Sequence, residues 1–205
     1  MQRVLLLRHG QSEWNALGRW QGTADPPLSA LGRRQAAFVG SVLAASSEQF
    51  EAVWASDLSR AAETATIVAE ALGAGPVRTE PRLREAHVGE WEGLTTDEIE
   101  AAWPGYVGAQ RRPPGFEPFE SVVGRVVPAV IDIAVSGPTV LAVAHSGVIR
   151  TLVRHLGHTD RRIANLGGVW LTVDAGRITP AGAFDPAGEA GYQLDLPGEN
   201  PVAER

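Results

Sequence analysis

Val4-Leu5-Leu6-Leu7-Arg8-His9-Gly10 is the stretch on which the reading of this chain turns. An unbroken apolar run followed by a glycine is the pattern of a strand buried on both faces, with a sharp exit from the sheet. Arg8 and His9 are thereby expected at the carboxyl end of a core strand, where ligands bind in open α/β sheets. Taken alone, the stretch fits a structural histidine and a surface arginine equally well. The rest of the chain has to decide.

Two more apolar runs end in the same manner. Ala52-Val53-Trp54-Ala55 leads into Ser56-Asp57 and, just inside the next helix, Arg60. Thr139-Val140-Leu141-Ala142-Val143-Ala144 leads into His145-Ser146-Gly147. Between the first two runs, Ser29 is an N-cap for a helix to about Ala45, with Leu31, Ala36, Val39 and Leu43 spaced along one face. A second helix is expected from about Leu58 to Leu72, closed by Gly73. Strand–helix–strand–helix order marks an α/β fold with crossover connections. The expectation is a three-layer α/β/α sandwich with a mostly parallel central sheet and its site at the carboxyl edge.

The remaining segments are less regular. Gln11 to Gly22 reads as a polar loop, short strands are expected near Val77 and Leu83, and Thr95 with Glu98 forms a capping box that starts a helix stopped by Pro104. Residues 104–118, rich in proline and glycine, read as an irregular excursion. A helix from about Glu120 to Val135 contains Pro128, another runs from about Val148 to Leu156, and a hairpin joins Gly168–Val173 to Arg177–Thr179. One domain is expected over 1–185, with a loosely ordered tail over 186–205.

Composition narrows the chemistry. The 205 residues suffice for one well-buried domain and carry a net charge of −6, which argues against a nucleic-acid partner. The chain has no cysteine, so disulfides, thiol nucleophiles and thiolate metal sites are excluded. Its basic residues are all arginine, which removes Schiff-base chemistry and the lysine of nucleotide-hydrolase phosphate loops. No apolar run approaches a membrane span and no basic-then-apolar leader opens the chain, so a cytoplasmic protein with no membrane partner is expected.

If the three strands are parallel neighbours, Arg8, His9, Arg60 and His145 converge on one rim, with the following helix N-termini adding positive dipole ends. Such a cluster calls for an anion, and phosphate carries about two charges near neutral pH. A sulfate or carboxylate binder, or a purely structural arginine network, also fits the pattern. Without cysteine, lysine or an Asp-x-Asp pair after the first strand, His9 is the best remaining phosphoryl acceptor. The leaving alcohol then needs a general acid, and spacing alone does not choose it among 24 acidic residues. His155 and His158 lack a third ligand nearby and read as surface residues at a helix end. No metal is expected.

Leu7-Arg8-His9-Gly10-Gln11-Ser12-Glu13-Trp14-Asn15 resembles the opening signature of the histidine phosphatase (phosphoglycerate mutase-like) superfamily. Gln21-Gly22 and Pro27-Leu28-Ser29 with Gly32 continue it. Ser56-Asp57-Leu58 with Arg60-Ala61 and Thr64-Ala65, Leu83-Arg84-Glu85 with Gly89, Trp91 and Gly93, and Ala144-His145-Ser146-Gly147 follow in the family's order. The resemblance implies that His9 becomes phosphohistidine, that Arg8, Arg60 and His145 hold the phosphoryl oxygens, and that Glu85 is the proton donor and later the base. It also implies a phosphate contact from Asn15, a substrate-side loop at Gln21-Gly22, and no cofactor. Trp54 and Trp91 are read as packing residues.

The segment from Glu85 to His145 is shorter than in the cofactor-dependent mutases, which favours water over a second substrate as the acceptor. Leu83 to Thr95, and Leu166-Gly167-Gly168 before a tryptophan strand, resemble the actinobacterial glucosyl-3-phosphoglycerate phosphatases. The Pro113–Ser121 region departs from that pattern, lacking the double glycine that usually precedes the Glu-Ser pair. The expected activity is hydrolysis of a phosphorylated sugar or glycerate. The alternatives are a cofactor-dependent phosphoglycerate mutase and an α-ribazole phosphate phosphatase. Relatives are often dimers, and the hairpin is a candidate contact.

Overall fold

A computed structural model describes residues 1–159 and 162–186; the expected tail lies almost wholly outside the described residues. The described elements run β1 (Gln2–Arg8), α1 (Glu13–Ala16), α2 (Ala30–Ala45), β2 (Ala52–Ala55), α3 (Ser59–Leu72), β3 (Arg78–Thr79) and α4 (Thr96–Ala102). They continue with α5 (Phe119–Ala134), β4 (Thr139–Ala144), α6 (Ser146–His155), β5 (Gly168–Asp174) and β6 (Arg177–Phe184). Together the strands form a single sheet in the order β3-β2-β4-β1-β5-β6.

Four strands are parallel, and β5 and β6 add an antiparallel margin beside β1. Sequence places β1 and β4 at the centre because each carries an unbroken apolar run: Val4 to Leu7 and Val140 to Ala144 have no exposed surface. Alternate residues of these strands feed two cores. Val4, Leu6, Val140 and Ala142 pack with Val122, Val126, Val130 and Ile133 of α5 and with α6. Leu5, Leu7, Leu141 and Val143 pack with α2 and α3 on the other face. Each fully buried Val, Leu or Ile contributes roughly 1.5–3 kcal/mol, so the α5 face alone outweighs the loss from Pro128, through which the helix continues.

Local signals explain most element ends. Ser29 caps α2 by accepting from the Gly32 N–H at 3.0 Å, and Gly73 closes α3 in the left-handed region at φ 62°. Thr95 and Glu98 complete the expected capping box. Three expectations need correction. The segment near Leu83 is not a strand but a 3-10 turn over Pro81–Leu83, because Glu80 accepts from the Arg82 N–H and Pro81 favours a helical start. The loop after β1 contains the short α1, since Ser12 and Asn15 form a reciprocal cap. β6 runs to Phe184 rather than Thr179, past a bulge between Trp170 and Leu171 that accommodates Pro180.

A third, smaller cluster lies apart from the two cores. Val88, Trp91 and Ile99 are buried there against Trp20, Trp103 and Phe116. Trp91 meets Trp20 and Phe116 edge-on, with centroids 5.2 and 6.1 Å apart. Trp54 is half-buried on β2 and donates its indole N–H to Ser136 Oγ at 3.1 Å. Both tryptophans are packing residues, as expected.

Candidate active site

Strand register puts the functional ends at one level. Arg8 pairs with Ala144, Val143 faces both Leu7 and Ala55, and the next N–H groups, of His9 and Ser56, donate to Ala144 O and Val143 O. The carboxyl ends of β1, β2 and β4 therefore form one rim, carrying Arg8 and His9, Ser56 and Asp57, and His145.

His9 is buried, with Nδ1 2.6 Å from the Gly10 carbonyl oxygen. A carbonyl can only accept, so Nδ1 carries the proton and Nε2 holds the lone pair. Burial, then Arg60 and Arg8, push the imidazole well below its usual range, with the Gly10 carbonyl opposing them weakly. A neutral, oriented ring with a bare Nε2 is what a nucleophile requires.

The His145 ring stands 5.1 Å from that of His9, inclined by 61°. It is fully buried at the N-cap of α6, and neither ring nitrogen has a hydrogen-bond partner among the described residues. Leaving a buried polar group unpaired costs about 1–3 kcal/mol, a cost met when a ligand supplies the partner. Burial, followed by the nearby Arg60, holds this imidazole well below its ordinary range too.

Arg60, at the second position of α3, is also fully buried. Its Nη1 and Nη2 donate to the carbonyls of Ala24 at 2.6 Å and Gly22 at 3.0 Å, and Asp25 stands 4.0 Å away. Its Nε has no partner among the described residues. Burial lowers its pKa, while Glu85, Asp25 and Glu92 act the other way. Arg8 is fastened differently, with Nη1 donating to Ile163 O at 2.7 Å.

Glu85 follows the 3-10 turn and crosses to α6. Its Oε2 accepts from the Gly147 N–H at 3.0 Å, and its Oε1 from Val148 at 3.2 Å and its own neighbour Ala86 at 2.9 Å. The carboxylate thus sits on the N-terminal N–H groups of the helix that begins beside His145. A side chain at Gly147 would bring its Cβ to 2.5 Å from Glu85 Oε1, so only glycine admits this approach. Arg84 fixes the same turn through a fork of 2.7 and 2.6 Å onto Asp57, and this guanidinium holds the Asp57 carboxyl below its usual range.

The loop residues marked in the sequence are also gathered here, by structural bonds. Asn15 Oδ1 accepts from the Ser12 N–H at 3.2 Å, and Gln21 Oε1 accepts from Ser12 Oγ at 2.7 Å. Gly22 sits at φ +53° with Val88 and Glu92 against it, which excludes a side chain and aims its carbonyl at Arg60. His155 and His158 are exposed near the far end of α6. Among the described residues, no three His, Asp or Glu side chains converge as metal ligands.

Four supporting residues escaped the sequence reading. Thr64 Oγ1 accepts from the Gly10 N–H at 3.1 Å and donates to Arg60 O at 2.7 Å, tying the turn after His9 to the first turn of α3. Gln35 accepts from the Gln11 N–H, Glu92 accepts from the N–H groups of Thr23 and Ala24, and Asn165 donates to His9 O. Thr64 stood inside a quoted motif without a role. The other three are single polar side chains whose partners lie far away in the sequence.

Comparison with known proteins places this geometry. Residues 4–176 match the histidine phosphatase superfamily (branch 1). The chain is 39% identical over 170 residues to a glucosyl-3-phosphoglycerate phosphatase of Mycolicibacterium vanbaalenii, covering 76% of this chain and 74% of that one. It is 36% identical over 180 residues to a 2,3-bisphosphoglycerate-dependent phosphoglycerate mutase of Methylorubrum extorquens, covering 81% and 85%. A solved mycobacterial glucosyl-3-phosphoglycerate phosphatase, in complex with VO3, superposes with a TM-score of 0.78 at 32% identity over 88% of this chain and 97% of that one. Matching family, rim geometry and a neutral buried histidine agree: the chain belongs to the histidine phosphatase superfamily and is an enzyme of the phosphatase class.

Proposed function

We propose that this chain is a phosphomonoesterase that hydrolyses a small phosphorylated metabolite through a phosphohistidine at His9, with glucosyl-3-phosphoglycerate or a related phosphorylated sugar or glycerate as substrate. The observation that carries the reading is the buried, neutral His9, its Nδ1 anchored on Gly10 O, amid Arg8, Arg60 and the unpartnered His145. In this scheme His9 Nε2 attacks phosphorus and the bond to the leaving oxygen breaks, while Arg8, Arg60 and His145 hold the equatorial oxygens. Glu85 gives its proton to the leaving alcohol. Water then attacks the phosphohistidine, Glu85 takes the proton, the P–N bond breaks, and phosphate leaves with His9 neutral again. Asn15 adds a phosphate contact, and the Gln21-Gly22 loop faces the rest of the substrate. The steps invoke no metal or cofactor.

Water is favoured as acceptor by the compact stretch between Glu85 and His145, whose cover has only a small core around Trp91. Phosphoglycerate mutation is the second reading, supported by the 36% identity to mutases of that activity. We also read residues 1–185 as one domain of a cytoplasmic enzyme, acting as a homodimer through the β5–β6 hairpin; no helix among the described residues is long and apolar enough to cross a membrane.

The test is phosphate release with a chelator present, from glucosyl-3-phosphoglycerate, 3-phosphoglycerate, α-ribazole phosphate, a sugar phosphate and an aryl phosphate, with His9→Ala alongside. Chelator-resistant release that falls at least about 10³-fold in the variant is expected. No release from any ester, with isomerised phosphoglycerate appearing on addition of a bisphosphorylated primer, would replace hydrolysis by mutation.

A further inference from the structure

Asn165, on the loop between α6 and β5, is buried, and its Nδ2 reaches two groups at once: His9 O at 3.0 Å and Asn15 Oδ1 at 3.4 Å. Backbone groups fix the orientation of both amides. The atom of Asn165 that faces the His9 carbonyl must be the NH2 end, since a carbonyl only accepts. The atom of Asn15 that faces the Ser12 N–H must be the oxygen, since an N–H only donates. Asn15 Oδ1 therefore carries two donors, from Ser12 and Asn165, and its Nδ2 is the end left to meet an anion. The same loop fastens the rest of the nucleophile strand: Arg8 N donates to Gly167 O, Leu166 N to Arg8 O, and Arg8 Nη1 to Ile163 O.

We propose that Asn165 is a positioning residue for phosphoryl transfer, whose single NH2 group holds the carbonyl of the nucleophile and the amide of Asn15 in one arrangement, so that the Asn15 donor meets the phosphoryl oxygens. This inference rests on the assignment of the pocket to phosphate esters and adds a residue that acts without touching the substrate. Losing it leaves His9 O without its side-chain donor and removes one of two donors from Asn15 Oδ1. The Asn15 amide is then held by the Ser12 N–H alone, and its NH2 spends less time in the arrangement that meets the anion.

A double-mutant cycle tests it, using Asn165→Leu, close to isosteric and uncharged, Asn15→Ala, and the pair. Two readouts are taken: kcat/KM for an aryl phosphate, and the inhibition constant of inorganic phosphate. Asn165→Leu should weaken phosphate inhibition and lower kcat/KM by about tenfold, the scale of a lost hydrogen bond to a charged group. In the Asn15→Ala background, the same substitution should cost no more than about a third as much. Equal losses in both backgrounds, or no loss from Asn165→Leu, would overturn the inference. If Asn165→Leu does not fold, Asn165→Ser goes through the same cycle under the same criterion. A native protein that neither hydrolyses the ester nor binds phosphate would instead remove the phosphatase reading itself.

Discussion

At the pocket floor, where β1, β2 and β4 end, side chains are placed by a backbone ladder; over the proposed cover, residues 82–125, placement is by side chains gripping backbone. On the floor, the register Leu7–Val143–Ala55 decides where His9, Ser56 and His145 emerge. In the cover, Arg125 binds the carbonyls of Arg82 and Arg84 with one nitrogen and Glu117 with the others, and the Glu117 N–H returns to His87 O. Glu92 grips Thr23 and Ala24 in the same way. A ladder has many equivalent bonds, so the floor tolerates the loss of one. The cover depends on a few.

Glu85, at the joint between the two regions, gives the largest expected effect. Glu85→Gln keeps one of the two acceptor oxygens that meet the Gly147, Val148 and Ala86 N–H groups but carries no transferable proton, so kcat/KM for alkyl phosphates, which reports the first phosphoryl transfer, should fall by roughly 10²–10⁴. Aryl phosphates, whose leaving group needs little protonation, should lose much less; equal losses for both would remove Glu85 as the proton donor.

The floor has its own signature in pH. Both histidines are depressed well below 6.5. Above about pH 6.5 the folded and unfolded chains hold these rings neutral alike; below it the unfolded chain binds protons that the folded chain refuses. Stability is therefore intact above that pH and lost as pH falls, by up to about 2.7 kcal/mol per unit if both rings contribute fully. Urea melts in phosphate-free buffer at several pH values would show the slope, and a flat profile would mean that the rings are protonated in the fold.

In the cover, Arg125→Met removes the grip on both carbonyls and leaves Glu117 without its main partner. It should cost about 2 kcal/mol, read as a melting temperature lower by roughly 4–8 °C. No shift would mean that the cover is held by its aromatic cluster alone. Smallest of the set is Gly147→Ala, where the new Cβ forces the Glu85 carboxylate aside. A displacement of that kind should lower kcat about tenfold with little change in KM, measured by steady-state kinetics, and an unchanged kcat would show that the joint yields without harm.

The same contrast governs what the sequence discloses. Apolar runs ending in Arg8-His9, Ser56-Asp57 and His145 expose the sheet, its rim and the charged cluster, because burial on two faces leaves a continuous pattern in one dimension. The proposed acid is a different matter. Glu85 is one carboxylate among 24, and only the family motif singles it out, since its place depends on a crossing from the 3-10 turn to α6. Asn165 and Thr64 are quieter still. Each acts through hydrogen bonds to residues 156 and 54 positions away, and no local pattern encodes such a contact. The 3-10 turn at Pro81–Leu83 differs from the strand expected there because a two-residue strand and a proline-led turn look alike in so short a segment.

The way Arg60 is held has a consequence for how a substrate arrives. Its close bonds go to the neutral carbonyls of Gly22 and Ala24 rather than to a carboxylate. An incoming anion displaces no carboxylate hydrogen-bonded to the guanidinium, whose nearest ion-pair partner, Asp25, stands 4.0 Å away. At long range the body carries −6 and repels the same anion. Added salt screens the distant repulsion first, over a Debye length of about 8–10 Å, and leaves the buried attraction nearly whole. Capture of a phosphate ester should therefore quicken as ionic strength rises to moderate values, the reverse of the slowing met where a basic surface steers its ligand.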